Sequence, residues 1–227
     1  MVENHPDIRK GEYRGIVCLV LSAFCFALMS MFVHLAGDLP SMQKSFFRNL
    51  VAALAAVVLL WRGGEPFRIR RENLPYFLMR SIFGTMGVLC NFYAVDHLVL
   101  ADASILNKMS PFFTVLFSWL ILKEKVMPIQ LSLIFGAFLG SIFVVKPTFS
   151  NLALVPSLLG FFGGICAGAA YTMVRKLGEA GEKGPVIVLF FSVFSCVVVL
   201  PWLIFDYHPM TWQQMGILLL AGCAAAG

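Results

Sequence analysis

The sequence has few charged residues for its length. Only 13% of its 227 residues are charged, whereas 59% are hydrophobic. A soluble domain carries about a quarter charged residues, so water cannot be the solvent for most of this chain's surface. The deficit excludes an ordinary soluble enzyme or binding domain and indicates an integral membrane protein.

Paired cysteines and basic patches are also missing. The six cysteines all lie inside apolar runs, and none forms a CxxC pair. The sequence therefore predicts neither a disulfide framework nor a metal site, and no cofactor is expected. The net charge is +5, but the basic residues are spread over short connections, so we expect no nucleic-acid partner.

Long apolar runs fill the chain instead. A membrane-spanning helix needs about 20 mostly apolar residues, and these runs lack the two-residue alternation of barrel strands. We therefore predict an all-α integral membrane protein that is embedded in the lipid bilayer. An eighth span opens near Trp212, and the seven spans before it are Gly15–Ala36, Ser45–Trp61, Leu74–Val95, Ala103–Leu122, Ile129–Val145, Leu152–Val174 and Pro185–Phe205.

The basic residues predict how the spans are oriented. Twelve lysines and arginines lie in the tail 1–14 and in the second, fourth and sixth connections, whereas two lie in the other connections. Cytoplasmic connections carry such an excess. The bias predicts a multi-pass protein of the cell membrane with a cytoplasmic N-terminus.

A weak internal repeat divides the chain. Segment 57–61 recurs as segment 198–202, and Gly37 corresponds to Gly178 at the same offset of 141. Five helices, an odd number, fill one period, so the second copy enters the membrane upside down, as in many carriers. We expect a ten-helix transporter of which this chain holds about seven and a half helices. The predicted parts are a tail over 1–14, a first five-helix repeat over 15–147 and an incomplete inverted repeat over 152–227.

Several stretches carry a family resemblance. They are ASILNKMSPFF at 103–113 with LKEK at 122–125, VVKP at 144–147 and AYTMVRKL at 170–177. Together they resemble the EamA domain of the drug/metabolite transporter superfamily. The resemblance implies ten helices in two inverted repeats around a central cavity. It also implies a permease or exporter for a small molecule, such as an amino acid or a nucleoside-type compound. Lys108 is a departure, because relatives usually have an uncharged residue there.

Polar side chains on the third span predict one wall of that cavity. A charge at the bilayer centre costs at least about 2.5–3.5 kcal/mol, so it usually faces a partner or a water-filled space. Arg80 and Asn91 share one helix face with two glycines, since the four residues follow at steps of four, three and four. No Asp or Glu lies deep in a predicted span. A cationic cavity and an anionic or zwitterionic substrate are therefore expected.

The fourth span predicts a second wall. Pro111 removes a backbone donor and predicts a kink next to Asn107 and Lys108. Carrier helices often break where they contact substrate. The predicted substrate-binding residues are Lys108, Arg80, Asn107, Asn91 and Tyr171, although Tyr171 also fits an ordinary interfacial tyrosine.

Other polar residues are interpreted as gate or structural charges. These are Arg48, His34 and Asp102. Arg48 and Lys108 could each pair with an acid near the outer surface, which would make them a gate or a static brace. The acids available for such pairs are Asp38, Asp96 and Asp102.

Glycine spacing predicts close helix packing in two places. Gly136 and Gly140 form one pair, and Gly160, Gly164 and Gly168 form a longer stripe. Small residues at this spacing let helices approach closely. Either set could serve internal packing or a homodimer.

Three other functions are conceivable for a multi-pass chain of this kind. His97 and Asp102 fit the H-x4-D pattern of glycerolipid acyltransferases, but two residues at that spacing are easily met by chance and no glycine-rich acceptor motif follows. A channel would need a continuous polar pore or a filter loop, and a non-transporting membrane subunit would show no flux. The sequence favours a transporter over an enzyme.

Overall fold

Nine α-helices and one 3₁₀ turn make up the part of the chain that the computed structural model describes, which is residues 6–37, 39–64, 68–123, 125, 127–145 and 154–226. The helices are α1 (Pro6–Leu35), α2 (Ser41–Arg62), α3 (Leu74–His97), α4 (Leu100–Asn107), α5 (Ser110–Leu122), α6 (Pro128–Val145), α7 (Leu154–Glu179), α8 (Gly184–Phe205) and α9 (Trp212–Ala226). The 3₁₀ turn, Arg71–Asn73, leads into α3. The all-α membrane fold is as predicted.

Five helical segments are long and apolar enough to cross a membrane among the residues described. They correspond to predicted spans two, three, four, six and seven. The other three predicted spans contain shorter apolar helices, Val20–Leu35, Pro128–Gly140 and Trp212–Ala225. The predicted tail is helical from Pro6 onward, because proline suits the first helical turn and the charged residues after it are good helix formers.

The fourth predicted span is broken into two helices. α4 ends at Asn107, Lys108 and Met109 form a turn, and α5 begins at Ser110. Pro111 lies in the first turn of α5, where the missing N–H costs nothing. The break thus lies just before the proline.

The helix contacts between the two predicted repeats stay the same when the repeats are interchanged. α3 packs against α7, α1 against α9, and α2 against α8. At the repeat offset, α1 corresponds to α7, α2 to α8 and α3 to α9. Exchanging the repeats therefore turns the α3–α7 contact into the α1–α9 contact and leaves the α2–α8 contact unchanged. All three contacts occur, as two equivalent units would require.

A residue contact between α2 and α9 has a counterpart between α8 and α3 at the offset of 141. Val51 on α2 packs against Gly222 on α9. Their counterparts 141 positions away are Ser192 and Ser81. These flank the place where Phe191 contacts Arg80.

Hydrogen bonds at both ends show that α2 and α8 run antiparallel. At one end, Gln43 at the start of α2 bonds to the backbone of His208, just after α8. At the other end, Glu182 before α8 accepts hydrogen bonds from Asn73 and from the backbone of Arg70. The second and sixth connections therefore lie at the same end of the molecule, as the predicted topology requires.

Glycines bring α7 close to its neighbours. A Cβ at Gly163 would lie 3.1 Å from Cys90 Cβ and 3.3 Å from the carbonyl oxygen of Gly87 on α3. A Cβ at Gly168 would lie 2.5 Å from Phe113 Cβ and 2.9 Å from the carbonyl oxygen of Ser110. The predicted stripe Gly160, Gly164 and Gly168 is thus used for packing within the chain.

Candidate functional site

A cavity of about 280 Å³ lies between the two predicted repeats. It is bounded by α1 to α4 on one side and by α7 to α9 on the other. Small-molecule sites typically enclose about 300–1,000 Å³, so this cavity suits a small metabolite. Its wall is largely apolar, and the polar residues on it are Ser22, Arg48, Asn49, Arg80, Asn91, Asn107, Tyr171 and Ser192.

Arg48 is held in place by a hydrogen-bond network that joins the repeats. Its Nη2 donates to Asn49 Oδ1 at 2.7 Å. Asn49 Nδ2 in turn donates to Ser195 Oγ on α8, also at 2.7 Å. Arg48 Nη1 lies 3.6 Å from the sulfur of Met29, and its Cζ lies 5.8 Å from the ring centre of Phe92. A bond across the repeats therefore fixes the amide that orients this guanidinium.

Arg80 is held by an aromatic ring instead. Its Cζ lies 4.2 Å from the ring centre of Phe191 on α8, a cation–π geometry. The guanidinium extends over Gly84, since a Cβ there would lie 1.9 Å from Nη1. Only a glycine one turn along α3 leaves room for this arrangement. The buried Nε of Arg80 has no hydrogen-bond partner within the described chain.

No carboxylate neutralises these two cations among the cavity-lining residues that the structure places. Asp96, one predicted partner of Arg48, instead accepts hydrogen bonds from Ser41 and from Lys44, the latter at 2.9 Å. Asp38, another predicted partner, lies outside the described residues. Two guanidinium groups therefore face one small cavity, and none of the described residues on its wall is a carboxylate.

Most of the predicted substrate residues come together at this cavity. Arg80, Asn91, Asn107 and Tyr171 all line it, and the ring of Tyr171 is 47% exposed. Gly84 and Gly87, on the predicted face of α3, line it as well. Their contact with substrate remains a prediction.

Lys108 does not line the cavity, contrary to our expectation. Its side chain is exposed on the far side of the broken span, in a separate recess that it shares with Pro111 and Phe138. Successive helical residues point about 100° apart, so Asn107 can face the cavity while Lys108 faces away.

The other predicted gate residues are scattered. His34 is exposed and is not part of the cavity wall. Asp102 is only 5% exposed, and its Oδ1 has no hydrogen-bond partner among the placed residues. Neither pairs with Arg48 in this structure. Arg48 itself lines the cavity, and its role as a gate or structural charge stays a prediction.

Sequence reasoning missed the residues that hold the arginines. Ser195, Phe92 and Phe191 are ordinary residues in apolar spans, and nothing local distinguishes them. The signal that was available was the pair Asn49 and Arg48, because adjacent buried polar residues in one span are costly unless they are bonded.

Together, the fold and the site define a multi-pass membrane transporter with a cavity between helices α1–α4 and helices α7–α9. The chain belongs to the EamA-like transporter family, whose domain matches residues 13–146. The predicted family is therefore confirmed, and so is the prediction of a transporter rather than an enzyme.

Named relatives are transporters of several kinds. The pseudopaline exporter CntI of Pseudomonas aeruginosa is 33% identical over 92% of this chain and 73% of the exporter. A riboflavin transporter of Brucella anthropi is 28% identical over 89% of this chain and 68% of that protein. Human solute carrier family 35 member G1 is 28% identical over 82% of this chain and 52% of that protein.

A solved structure shares the fold. It is a protein crystal structure that superposes with a TM-score of 0.68 at 13% identity, over 91% of this chain and 74% of that chain. At this identity the likeness shows the architecture alone.

Proposed function

We propose that this protein is a secondary carrier of the plasma membrane that moves a small anionic or zwitterionic metabolite by alternating access. The substrate binds in the cavity between the repeats. The observation that carries the proposal is the presence of Arg48 and Arg80 in one cavity with no carboxylate beside them in the described chain.

The cost of these cations supports a role in binding. A charge inside the bilayer costs at least about 2.5–3.5 kcal/mol, and such residues usually mark a substrate or ion pathway. A guanidinium binds a carboxylate or phosphate through two parallel hydrogen bonds. The arginines would hold the anionic group, and Asn91, Asn107 and Tyr171 would contact the rest of the substrate.

The relatives' names support transport of a metabolite but differ in substrate. One is an exporter of pseudopaline and another a transporter of riboflavin. The cavity wall therefore indicates the substrate class better than any single relative does. The cytoplasmic N-terminus stays part of the proposal, because it rests on the distribution of lysine and arginine.

A metabolite screen on the purified full-length protein tests the proposal. A compound that binds the folded state raises the apparent melting temperature by mass action. We expect stabilisation by anionic or zwitterionic compounds, and flux of the same compounds into liposomes that contain the protein. Arg48→Ala and Arg80→Ala should abolish both responses.

Lys108→Ala is the matched control. It also removes a cation from a span, but this lysine lies outside the cavity, so stabilisation and flux should persist. The proposal fails if stabilisation survives both arginine substitutions, or if the compounds bind and no flux occurs.

A further inference from the structure

The two cavity arginines lie at different depths. Asp96, near the end of α3, bonds to Ser41 and Lys44 at the start of α2, so these helix ends are level. At 1.5 Å per residue from that level, the Cα of Arg48 is about 10 Å deep and the Cα of Arg80 is about 24 Å deep.

The side chains shorten this gap without closing it. The Arg80 guanidinium lies over Gly84, one helical turn nearer to Arg48. The Arg48 guanidinium stays beside Phe92, at 5.8 Å. The two charges are therefore separated by about 8–12 Å along the helix axes. Each hydrogen bond requires about 2.7–3.2 Å between donor and acceptor, so a single carboxylate reaches both guanidinium groups only when their separation is at its short end. Over the rest of the range of separations, each arginine needs an anionic group of its own.

Hydrogen-bond requirements indicate that the ligand is rich in acceptors. Each guanidinium has five N–H donors and no acceptor. For Arg48, the contacts shown are those to Asn49 and the weak acceptor Met29, and the described residues give Arg80 a ring face alone. A zwitterion would bring an ammonium group, with three more donors and a positive charge, into a cavity wall where the structure shows no carboxylate.

We infer that the substrate carries two anionic groups at opposite ends, as a short dicarboxylate does, with one group bound by Arg48 and the other by Arg80. This inference rests on the proposed function and narrows its substrate class from any anion or zwitterion to a molecule with two separated negative charges.

A series of charge-matched probes tests the inference. The probes are malonate, succinate, glutarate, adipate and pimelate, the monoamide of each, and the zwitterion 4-aminobutyrate. The readout is the dissociation constant for the full-length protein, obtained from thermal stabilisation. One dicarboxylate of intermediate length should bind best and should exceed its own monoamide and 4-aminobutyrate by at least about tenfold, the cost of one charged hydrogen bond.

Single substitutions test whether each arginine binds one of the two anionic groups of the ligand. In Arg48→Gln and in Arg80→Gln, the preference for the dicarboxylate over its monoamide should fall to about one, since only one cation remains to bind a carboxylate. In Lys108→Gln the preference should be unchanged. This control separates the loss of one specific cation from the general effect of removing positive charge.

The outcomes distinguish the inference from the proposed function. Equal binding of dicarboxylate and monoamide, tighter binding of 4-aminobutyrate, or no response to any dicarboxylate overturns the inference. The proposed function still stands in each case if other metabolites bind in an arginine-dependent way and cross the membrane. Absence of flux for every compound that binds overturns the proposed function.

Discussion

The interface between the predicted repeats and the outer edge around α6 contain the same kinds of residue. Both have glycines at helical spacing, and both have a cation within a predicted span. At the interface, Gly168 packs against α5 and Arg80 faces the cavity. At the edge, Gly140 has no atom within 4 Å of where its Cβ would be, and Lys108 is exposed. Residue type and spacing thus do not determine what these glycines and cations do. Their role depends on which helix packs against them.

This difference follows from which helices pack together. Gly168 on α7 has α5 as its packing partner. The Gly136 and Gly140 face meets none within the described chain. A homodimer through this pair therefore remains a prediction, whereas the α7 stripe is already occupied.

The largest difference between the two regions is expected when one glycine in each is replaced by a large residue. Gly168→Leu would force a side chain into Phe113 and into the backbone of Ser110 and Thr114, with Cβ distances of 2.5 to 2.9 Å. Overpacking costs about 1–3 kcal/mol and occasionally more. Because two of these neighbours are backbone atoms that cannot move aside, we expect more than about 3 kcal/mol and little folded protein.

Gly140→Leu is the matched variant on α6. Thermal unfolding and size-exclusion chromatography in detergent should show a folded protein with a melting temperature near that of the natural sequence. Loss of a dimer peak in Gly140→Leu alone would support the predicted dimer. Equal destabilisation by both substitutions would contradict the difference between the two regions.

A smaller loss of stability is expected when the polar network at the interface is interrupted. Asn49→Leu removes the acceptor for Arg48 Nη2 and the donor to Ser195. Leaving a buried charged donor unpaired costs about 2 kcal/mol. Ser195→Ala should cost less, about 0.6 kcal/mol, the average for hydrogen bonds between membrane helices. Chemical denaturation in mixed micelles measures both, and a larger effect for Ser195→Ala would contradict this order.

Asn49→Leu should also weaken ligand binding while the cavity keeps its volume, since Arg48 would lose its fixed orientation. Ser195→Ala should have a smaller effect in the same direction. If binding is unchanged in both variants, then the network serves stability alone.

A third comparison uses ion pairs. Lys44 and Asp96 are 2.9 Å apart with side-chain exposures of 3% and 26%, whereas Arg175 and Glu179 are 3.4 Å apart with exposures of 55% and 46%. Exposed pairs on one helix contribute about 0.3–0.5 kcal/mol. We expect a coupling free energy of about 1 kcal/mol for the shielded pair. Double-mutant cycles on thermal or chemical unfolding measure both, and equal couplings would contradict the expectation.

The four residues that helical periodicity placed on one face of α3 all line the cavity. Arg80, Gly84, Gly87 and Asn91 are related by the rotation of a single helix, which the sequence encodes directly. Lys108 lies outside this cavity because the break at 108–109 and the rotation between neighbouring residues turn it away from Asn107. Its contact with substrate stays a prediction.

Pairs between distant segments were not predictable in the same way. Asn49 and Ser195 are 146 positions apart, and their contact exists because α2 of one repeat packs antiparallel against α8 of the other. The repeat indicated that these helices correspond, but it could not give the register of the contact. Phe92 and Phe191 were missed for a similar reason, since aromatic residues are common in apolar spans.

The smallest expected effect is that of Lys108→Gln on ligand binding. The sequence alone places Lys108 among the substrate residues, whereas the structure places its side chain in a recess outside the cavity. We expect the dissociation constant of any cavity ligand to change by less than about twofold, because an exposed charge beyond the cavity wall is screened. A loss of about tenfold or more, comparable to that of Arg80→Ala, would mean that the broken span turns Lys108 inward in another state of the transport cycle.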